Sequence, residues 1–371
     1  MITLCEPTLG EAEKQALNAV IDSGWLTMGN QVKAFERAFA TLHQMEDAVA
    51  VSSCTAGLHL CLAALGIKPG DEILVPALTF AATVNAILYV NAAPVLTDIE
   101  SIEVPHISLD DARSKCTSRT RAVIVMHYGG YPADMQEWRT FADERGLKLI
   151  EDAAHCPAAK DVGRFSDAAA FSFFSNKNMT TAEGGMVTAR EPAVLEHIRL
   201  LRSHAMTSGT LDRHRGRAYT YDITALGYNY RMDELRAALG LAQLKQLPQW
   251  NARRQVLADL YRHLLNIHLP QVSVPFRKSS GNTSHIMPVV LPETADREKI
   301  MIELYHKGVQ SSIHYHPIHL FSYYKKMFPN PVLPQTEKFA ARELTLPLHP
   351  GLNENDIDRV VGALSESVLH D

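Results

Sequence analysis

The sequence predicts an α/β fold, in which a doubly wound, mostly parallel sheet is followed by a smaller C-terminal α+β domain. From residue 49 to residue 188, short apolar runs rich in β-branched residues alternate with stretches long enough for a helix. This alternation is typical of crossover helices that cover both faces of a parallel sheet. After Asp233 the pattern changes to long helical segments. The chain has 371 residues, 46% of them hydrophobic, which is too many for one simple core and indicates two domains.

Seven apolar runs are predicted to form the strands of the sheet: AVAVS, DEILVP, PVLTD, RAVIVMH, LKLIED, AAFSFF and GMVTA. Between them, residues 56–65, 80–90 and 134–145 are each long enough for a helix and apolar on at least one face. Loops that follow parallel strands converge where the order of the strands reverses. We therefore expect one pocket to be lined by residues 52–55, 76–80, 127–130 and 152–155.

A second domain is predicted to begin near residue 246, which gives a large domain of residues 1–245 and a small domain of residues 246–371. The amphipathic run ELRAALGLAQLKQL lies at this boundary, and a helical stretch from Trp250 to Asn266 follows it. Farther along the chain, HIMPVVL is predicted to be a strand. Helices are predicted near residues 297–307 and 354–369.

The composition restricts the class of protein. A net charge of −5, from 36 basic and 41 acidic residues, leaves no global field for binding nucleic acid or an anionic membrane. No apolar run approaches the length that spans a bilayer, and the first residues lack the order of a secretory signal, so we expect a cytoplasmic protein. Its five cysteines show no C-x-x-C spacing and are expected to be reduced thiols.

Lys177 is the strongest candidate for a reactive residue. It lies in the run DAAAFSFFSNKNMTTAEGG, after an apolar strand and before a pair of glycines. Although a lone lysine is usually a surface residue, the apolar neighbourhood here indicates a partly desolvated amine. Burial lowers the pKa of an amine and favours the neutral nucleophile that forms an imine.

Asp152 supplies a possible acidic partner, because the strand LKLIE ends at this residue and so places a carboxylate at the rim of the pocket. A carboxylate in such a position can keep a pyridine nitrogen protonated, and the pyridinium ring then stabilises a substrate carbanion. The alternative is an aspartate that caps a helix or forms a turn, which is common at the ends of strands.

These residues belong to a longer set of motifs: SSCTAGL, TFAATVNAI, HYGGYPADM, IEDAAHC, FSFFSNKNMTTAEGG, GYNYRMDEL and HYHPIHL, in this order. The set resembles the DegT and StrS type of sugar aminotransferases from Gly24 to about Pro350. The resemblance implies an aspartate-aminotransferase-like fold (fold type I), with pyridoxal 5′-phosphate as the cofactor.

The resemblance also implies roles for individual residues around the cofactor ring. Lys177 would bind the cofactor covalently and carry protons, and Asp152 would contact the pyridine nitrogen. His155 would donate a hydrogen bond to the phenolic oxygen, and Phe80 would stack on the ring. A histidine with a structural role in the core and a buried core aromatic are the respective alternatives for these last two residues.

The cofactor phosphate would be bound by the Thr55 side chain with the backbone at Ala56, by the hydroxyl of Ser172, and by Asn229 of a second subunit. Amide groups at the start of a helix suit a dianion. Neither G-x-G-x-x-G nor G-x-x-x-x-G-K-[ST] occurs in the chain, which argues against a dinucleotide fold and a P-loop. The contribution of Asn229 implies a homodimer with composite active sites.

Substrate contacts are expected from two further segments. The basic stretch RHRGRAYTYD contains Arg213, Arg215 and Arg217, which form either a solvated loop or a lid that contacts an anion, and the resemblance favours the lid. Tyr315 and His319 are expected to contact the sugar or the nucleotide. Zinc binding by His314, His316 and His319 is disfavoured, because Pro317 interrupts any helix that would align them.

Members of the family with histidine in place of the lysine carry out dehydration, so Lys177 implies transamination. The sequence Thr-Ala-Glu-Gly-Gly from residue 181 to residue 185 resembles that of a subgroup acting on nucleotide-linked 4-keto sugars. L-Glutamate is the expected amino donor, a 4-keto-6-deoxyhexose is the expected acceptor, and amino-sugar biosynthesis is the expected context. The alternatives are a keto-cyclitol aminotransferase that uses glutamine and a sensor that binds the cofactor without turnover.

Overall fold

The computed structural model describes residues 1–208, 216, 220–276 and 281–369. Within these residues a seven-stranded sheet is covered by helices on both faces. All seven runs that the sequence predicted to be strands lie in this sheet. The strands are β1 (Val49–Val51), β2 (Glu72–Pro76), β3 (Ala93–Thr97), β4 (Thr120–Met126), β5 (Lys148–Asp152), β6 (Ala168–Ser172) and β7 (Gly185–Ala189).

The strand order in the sheet is β1-β7-β6-β5-β4-β2-β3. The pairs β2–β3, β2–β4, β4–β5 and β5–β6 are parallel, whereas β7 runs antiparallel to both β6 and β1. Every strand of the sheet except β7 therefore points the same way, as the sequence predicted for a mostly parallel sheet. The carboxyl ends of β1, β4, β5 and β6 consequently lie along one edge, which is where ligands bind in folds of this kind.

Consecutive residues of each strand are buried on opposite faces of the sheet. Ile73, Val75 and Ile124 belong to a core on the face covered by α3 (Cys54–Ala64), α4 (Ala81–Tyr89) and α7 (Pro192–Leu201). Leu74 and Val123 belong to a core on the other face, with side chains of α6 (Met135–Arg145). Burial on both faces explains why these strands are continuously apolar instead of alternating.

The remaining helices of the first half of the chain are α1 (Glu11–Ser23), α2 (Asn30–Leu42) and α5 (Leu109–Lys115). The sequence predicted α3, α4 and α6 to within one or two residues. Each begins where local chemistry favours it: for example, the Asp134 side chain accepts hydrogen bonds from the first amides of α6, and Gly146 ends that helix with φ 64°.

A single long helix, α8 (Glu234–His268), connects the sheet to the second half of the chain. The sequence predicted two helical segments here, and the structure joins them across Pro248. The first part of α8 packs against α1 and α2, and the last part contributes Leu257, Tyr261 and Leu265 to a second core. Packing on both sides of the proline compensates for the backbone hydrogen bond that this residue cannot donate.

The second core surrounds a two-stranded antiparallel sheet of β8 (Met287–Val290) and β9 (Glu343–Leu346). Its helices are α9 (Arg297–His306), α10 (Ser322–Lys325), α11 (Pro334–Arg342) and α12 (Glu354–Leu369). The sequence predicted β8, α9 and α12 but not β9. Ile2 also packs in this core and pairs with Val309, so the first residues of the chain lie against the second half. The division at residue 246 stays a prediction.

Glu234 links α8 to the start of α2. Gly29, which precedes α2, has no side chain with which to cap the helix, and a Cβ there would lie 2.7 Å from Trp25 Nε1. The carboxylate of Glu234 accepts hydrogen bonds from the amides of Gly29, Gln31 and Val32 at 2.9, 2.8 and 2.9 Å. A negative charge at a helix N-terminus is favourable, so this buried carboxylate acts as the cap.

Within the described ranges, none of the helices has the combination of length and apolar character needed to cross a membrane.

We predict that Glu234→Gln lowers the free energy of unfolding by roughly 2–3 kcal/mol, because the amide that replaces one carboxylate oxygen cannot accept from a backbone N–H. The measurement is urea denaturation followed by circular dichroism. Glu46→Gln, which changes an exposed carboxylate, is the control and should leave the midpoint where it is. Equal midpoints for Glu234→Gln and the parent protein would show that this cap contributes no stability.

Candidate active site

A cavity of about 390 Å³ opens at the carboxyl edge of the parallel strands. This volume lies within the range of small-molecule sites. Three of the four loops that the sequence predicted to meet line the cavity. The fourth loop follows β4 and does not line it, but the amide of its Gly129 donates a hydrogen bond to His155, which does. The residues that the sequence singled out and that line the cavity are Thr55, Phe80, Asp152, His155, Ser172, Lys177 and Tyr315.

Asp152 ends β5 and is buried. Its Oδ2 accepts a hydrogen bond from the Thr83 hydroxyl at 2.7 Å, and its Oδ1 accepts one from the Ala154 amide at 3.2 Å. Burial raises the pKa of Asp152, while these two hydrogen bonds and the charge of Lys177 act in the opposite direction. The bond to Ala154 is the turn contact that the sequence allowed as an alternative, yet the carboxylate still lines the cavity.

Lys177 lies in the loop after β6, where its amide donates to Phe174 O at 2.9 Å. The side chain is half-buried and faces the cavity. Burial lowers the pKa of Lys177 to about 8, although the charge of Asp152 partly opposes this change. The direction is the one expected from the apolar sequence around the lysine, and it makes the neutral amine available near neutral pH.

His155 is buried at the back of the cavity. Its Nδ1 accepts a hydrogen bond from the Gly129 amide at 3.2 Å, and its Nε2 lies 2.9 Å from the Tyr315 hydroxyl. Burial, followed by the charge of Lys177, holds the pKa of His155 well below its usual value. The ring is therefore neutral, and since Nδ1 accepts, the proton is on Nε2.

A polar network that the sequence analysis missed lies behind Lys177. The Asn178 amide donates to Asn251 Oδ1 at 2.7 Å and to Thr283 O at 3.0 Å, and Asn178 Oδ1 bonds His285 Nδ1 at 2.7 Å. The ring of His285 lies 4.3 Å from that of His155. This network connects the lysine loop to α8 and to the loop before β8. Its members are distant in sequence, so no local motif indicates them.

A buried pair of side chains, also missed, holds the ends of β4 and β5 together. His127 Nδ1 accepts from the Ala133 amide at 3.1 Å, so its Nε2–H donates to Glu151 Oε2 at 2.7 Å. The Gly163 amide donates to the same carboxylate at 3.1 Å. These bonds fix the loops on either side of Asp152.

The candidate phosphate-binding residues lie on the side of the cavity nearer to β1. Ser172 ends β6 and is buried, and Thr55 lies in the first turn of α3. The amide of Ala56, which was expected to contact the phosphate, donates here to the Ser53 hydroxyl at 3.1 Å. This hydrogen bond caps α3. Asn176 Oδ1, also on the wall, is a buried acceptor that no described residue satisfies.

Phe80 lines the mouth of the cavity and is 60% exposed, which argues against the core role that the sequence left open. Its ring centroid lies 6.0 Å from that of Tyr315, so an aromatic surface is available to a planar ligand.

Other predicted residues lie elsewhere. Asn229 is exposed and does not line the cavity of its own chain. His319 is buried, with Nε2 bonded to Glu337 at 3.0 Å, because the short helix that carries it turns the ring away from the cavity. The candidate substrate residues Arg213, Arg215 and Arg217 lie outside the described residues.

The three histidines considered for zinc make different contacts. His314 Nδ1 bonds the Thr345 hydroxyl at 2.8 Å, His316 is exposed, and His319 pairs with Glu337. In the described part of the chain, no group of three or more potential ligand side chains is gathered as a metal would require.

The residues of the cavity fit pyridoxal 5′-phosphate. A buried carboxylate suits the ring nitrogen, a lysine with a lowered pKa suits the aldehyde, and two hydroxyls beside a helix N-terminus suit the phosphate. Asn176 Oδ1 on the same wall is a buried acceptor without a partner among the described residues, so it leaves a place for a hydrogen-bond donor of a bound ligand. The fold and the cavity together define a pyridoxal phosphate-dependent aminotransferase of fold type I.

Comparison with known proteins identifies the family. The model of the DegT/DnrJ/EryC1/StrS aminotransferase family matches residues 7–365, and the chain belongs to this family. The aminotransferase TlmJ from Streptoalloteichus hindustanus is 33% identical, with a TM-score of 0.92 over 100% of this chain and 99% of that chain.

Two other solved structures are similar along their whole length. Helicobacter pylori PseC, an aminotransferase involved in the biosynthesis of pseudoaminic acid, is 26% identical with a TM-score of 0.93, and 100% of each chain is covered. Spr1654 from Streptococcus pneumoniae, described as a sugar aminotransferase, is 27% identical in its PMP form, with a TM-score of 0.92 and 100% of each chain covered. A PLP form of Spr1654 is also known. The similarity to these proteins agrees with pyridoxal phosphate as the cofactor.

We predict that the rate at which Lys177 of the apoenzyme reacts with pyridoxal is half-maximal near pH 8, the pKa to which burial lowers this amine, instead of about 10.4 as for an ordinary lysine. In Asp152→Asn the midpoint should move to lower pH, because the negative charge of Asp152 raises the lysine pKa. Visible absorbance follows the reaction, and Lys177→Ala corrects for surface lysines. A midpoint near 10 would contradict the assignment of a desolvated lysine.

Proposed function

We propose that this aminotransferase transfers an amino group from L-glutamate to a nucleotide-linked keto sugar, a 4-keto-6-deoxyhexose. The observation that carries the proposal is the meeting of Lys177 and Asp152 in one cavity of a chain that belongs to this family. The relation of PseC to pseudoaminic acid and the description of Spr1654 as a sugar aminotransferase support a sugar as the acceptor.

In this proposal the side chains of the cavity position groups and move protons. When bound, pyridoxal phosphate supplies an electron-withdrawing ring that stabilises negative charge on the reacting carbon. Asp152 keeps the ring nitrogen protonated from a position where Thr83 and Ala154 fix its two oxygens. Lys177 Nζ would accept and then release the proton that the transfer of the amino group moves. An amine with a pKa of about 8 can do both near neutral pH.

The charge distribution indicates where the nucleotide would bind. The basic side chains among the described residues of the cavity wall are those of Lys177, His155 and His314. None of them is an arginine, the side chain best suited to a diphosphate. We propose that Arg213, Arg215 and Arg217 supply this charge, because they form a dense basic segment in a chain of net charge −5. Binding energy from the distant nucleotide would then hold the carbonyl in position.

We further propose a homodimer in which Asn229 contacts the cofactor phosphate of the partner subunit. Asn229 is exposed and does not line the cavity of its own chain. Nearby in sequence, Leu226, Ile223 and Tyr221 are 82%, 58% and 57% exposed. Three large apolar side chains exposed within six consecutive residues are typical of a surface that a partner covers.

We predict that L-glutamate bleaches the visible absorbance of the holoenzyme and that a nucleotide-linked 4-keto-6-deoxyhexose restores it. Both changes are followed in single-turnover absorbance experiments with a panel of acceptors. Restoration by a keto cyclitol, but not by the keto sugars, would replace the proposed acceptor. Absence of bleaching by L-glutamate and L-glutamine alike would indicate a sensor without turnover.

The proposal of a composite site predicts complementation between Lys177→Ala, which lacks the reactive amine, and Asn229→Ala, which binds the cofactor more weakly. Lys177→Ala and Asn229→Ala homodimers are mixed and allowed to exchange subunits at limiting cofactor. In the heterodimer one site would carry both defects and the other neither, so activity should rise above that of both parents.

If Asn229 serves its own chain, each site keeps one defect and mixing restores nothing. Subunit exchange is confirmed independently by mass spectrometry of differently tagged chains. As a matched control, Lys177→Ala is mixed with Asp152→Asn, two residues of the same cavity, and this mixture should show no gain.

A further inference from the structure

The loop between β6 and β7, residues 173–184, brings two unpartnered hydrogen-bond acceptors to the cavity wall. Asn176 Oδ1 is buried and has no hydrogen-bond partner among the described residues. The carboxylate of Glu183 is exposed at the same wall and forms no hydrogen bond or ion pair with the described part of the chain. Because a buried acceptor without a partner is costly, this wall offers places for hydrogen-bond donors of a ligand.

Hydrogen bonds within the loop fix where these two groups lie. The Ser175 hydroxyl donates to Ala182 O at 3.2 Å, so the segment that contains Asn176 is joined to the segment that contains Glu183. The Thr181 hydroxyl donates to Glu183 O at 2.8 Å. The backbone that carries both acceptors is therefore held in place without a ligand, which suits a site that recognises a ligand by its geometry.

Neither the cofactor nor the amino donor supplies the hydrogens that these acceptors need. At neutral pH the phosphate and phenolic oxygens of pyridoxal phosphate accept, and its ring N–H is assigned to Asp152. L-Glutamate donates only through its amino group, which must lie at the cofactor to react, and its carboxylates only accept. A keto sugar differs from both, because each of its hydroxyl groups donates a hydrogen.

An aromatic surface lies in the same loop as the two acceptors. Phe174 is 44% exposed and lines the cavity. A sugar ring has apolar C–H groups on its faces and hydroxyl groups at its edge. An aromatic ring close to hydrogen-bond acceptors matches both parts of such a ligand.

The two acceptors lie at different distances from the reacting groups. Asn176 directly precedes Lys177 in the chain, and its Oδ1 is buried. Glu183 is exposed, so its carboxylate lies nearer to solvent. A ligand that reacts beside Lys177 would therefore meet Asn176 close to the reacting carbon and Glu183 farther from it.

In a nucleotide-linked 4-keto-6-deoxyhexose, the ring carbons that keep a hydroxyl group are C2 and C3, because C1 is linked to the nucleotide and C4 is the carbonyl carbon. We propose that Asn176 Oδ1 accepts a hydrogen bond from the 3-hydroxyl, next to the reacting C4, and that the Glu183 carboxylate accepts one from the 2-hydroxyl. The proposal rests on the proposed function, in which C4 of the sugar receives the amino group.

This assignment separates the two substrates of the enzyme. Both acceptors contribute to the step that uses the keto sugar, in which hydroxyl groups are present. Residues that acted only by shaping the loop beside Lys177 would affect the L-glutamate step to the same extent.

The test compares three acceptors in single-turnover absorbance experiments on enzyme first bleached with L-glutamate: the keto sugar, its 2-deoxy analogue and its 3-deoxy analogue. For the keto sugar, Glu183→Ala should lower the second-order rate constant roughly 10- to 100-fold and Asn176→Ala roughly 2- to 10-fold, as for hydrogen bonds to a charged and to a neutral acceptor. With the 2-deoxy analogue Glu183→Ala should cause little further loss, and so should Asn176→Ala with the 3-deoxy analogue.

Ser175→Ala is the matched control, because it removes a hydrogen bond of the same loop but no group of the cavity wall. It should leave the ratios of the rate constants for the three acceptors as they are in the parent enzyme. Equal losses with all three acceptors in Glu183→Ala and Asn176→Ala would overturn the proposal. An equal loss in the rate of bleaching by L-glutamate would also overturn it.

A binding measurement adds a readout that needs neither turnover nor a variant. The probe is a nucleotide-linked 6-deoxyhexose with a hydroxyl group in place of the keto group, and calorimetry measures its binding to the parent holoenzyme. Probes without the 2-hydroxyl or the 3-hydroxyl should bind several-fold more weakly, and equal affinities would reject the proposal even where a variant does not fold. Failure of every nucleotide-linked keto sugar to restore the absorbance of the parent enzyme would instead reject the proposed function and remove the premise.

Discussion

A carboxylate removed from water keeps its charge only where donors and cations compensate for the lost solvation, and Asp152 is in this position. Its two oxygens are satisfied by a hydroxyl from α4 and by an amide of the loop after β5, and the nearby cation comes from the loop after β6. These three elements follow β2, β5 and β6, which are parallel, so their carboxyl ends lie along the same edge of the sheet. The geometry of the site therefore depends on the common direction of β2, β5 and β6.

Burial shifts the pKa values of Asp152 and Lys177 in opposite directions. It raises the pKa of Asp152 and lowers that of Lys177, so that each is easier to neutralise than in water. Their mutual attraction opposes both changes. A lysine with a pKa of about 8 is a nucleophile and a proton carrier at physiological pH, properties that an exposed lysine lacks.

Around this pair, hydrogen bonds fix proton positions. The amide of Gly129 places the proton of His155 on Nε2, and the amide of Ala133 does the same for His127. Both amides belong to the loop after β4, and His155 then donates to Tyr315 and His127 to Glu151. Backbone geometry, more than side-chain type, therefore decides which nitrogen of each histidine is the donor.

The sequence by itself determined the strands, because a strand buried on both faces must be continuously apolar, and it singled out Asp152 at the end of a strand and Lys177 in the loop after one as candidate site residues. It also indicated the family, which the match over residues 7–365 established. It did not determine β9 or the continuity of α8 across Pro248, because packing decides both. Nor did it indicate the contacts of Asn178 with Asn251 and His285, or that His319 turns toward Glu337 while Tyr315 turns toward His155. These contacts join residues far apart in the chain, and their geometry exists only once the two cores have brought distant segments together.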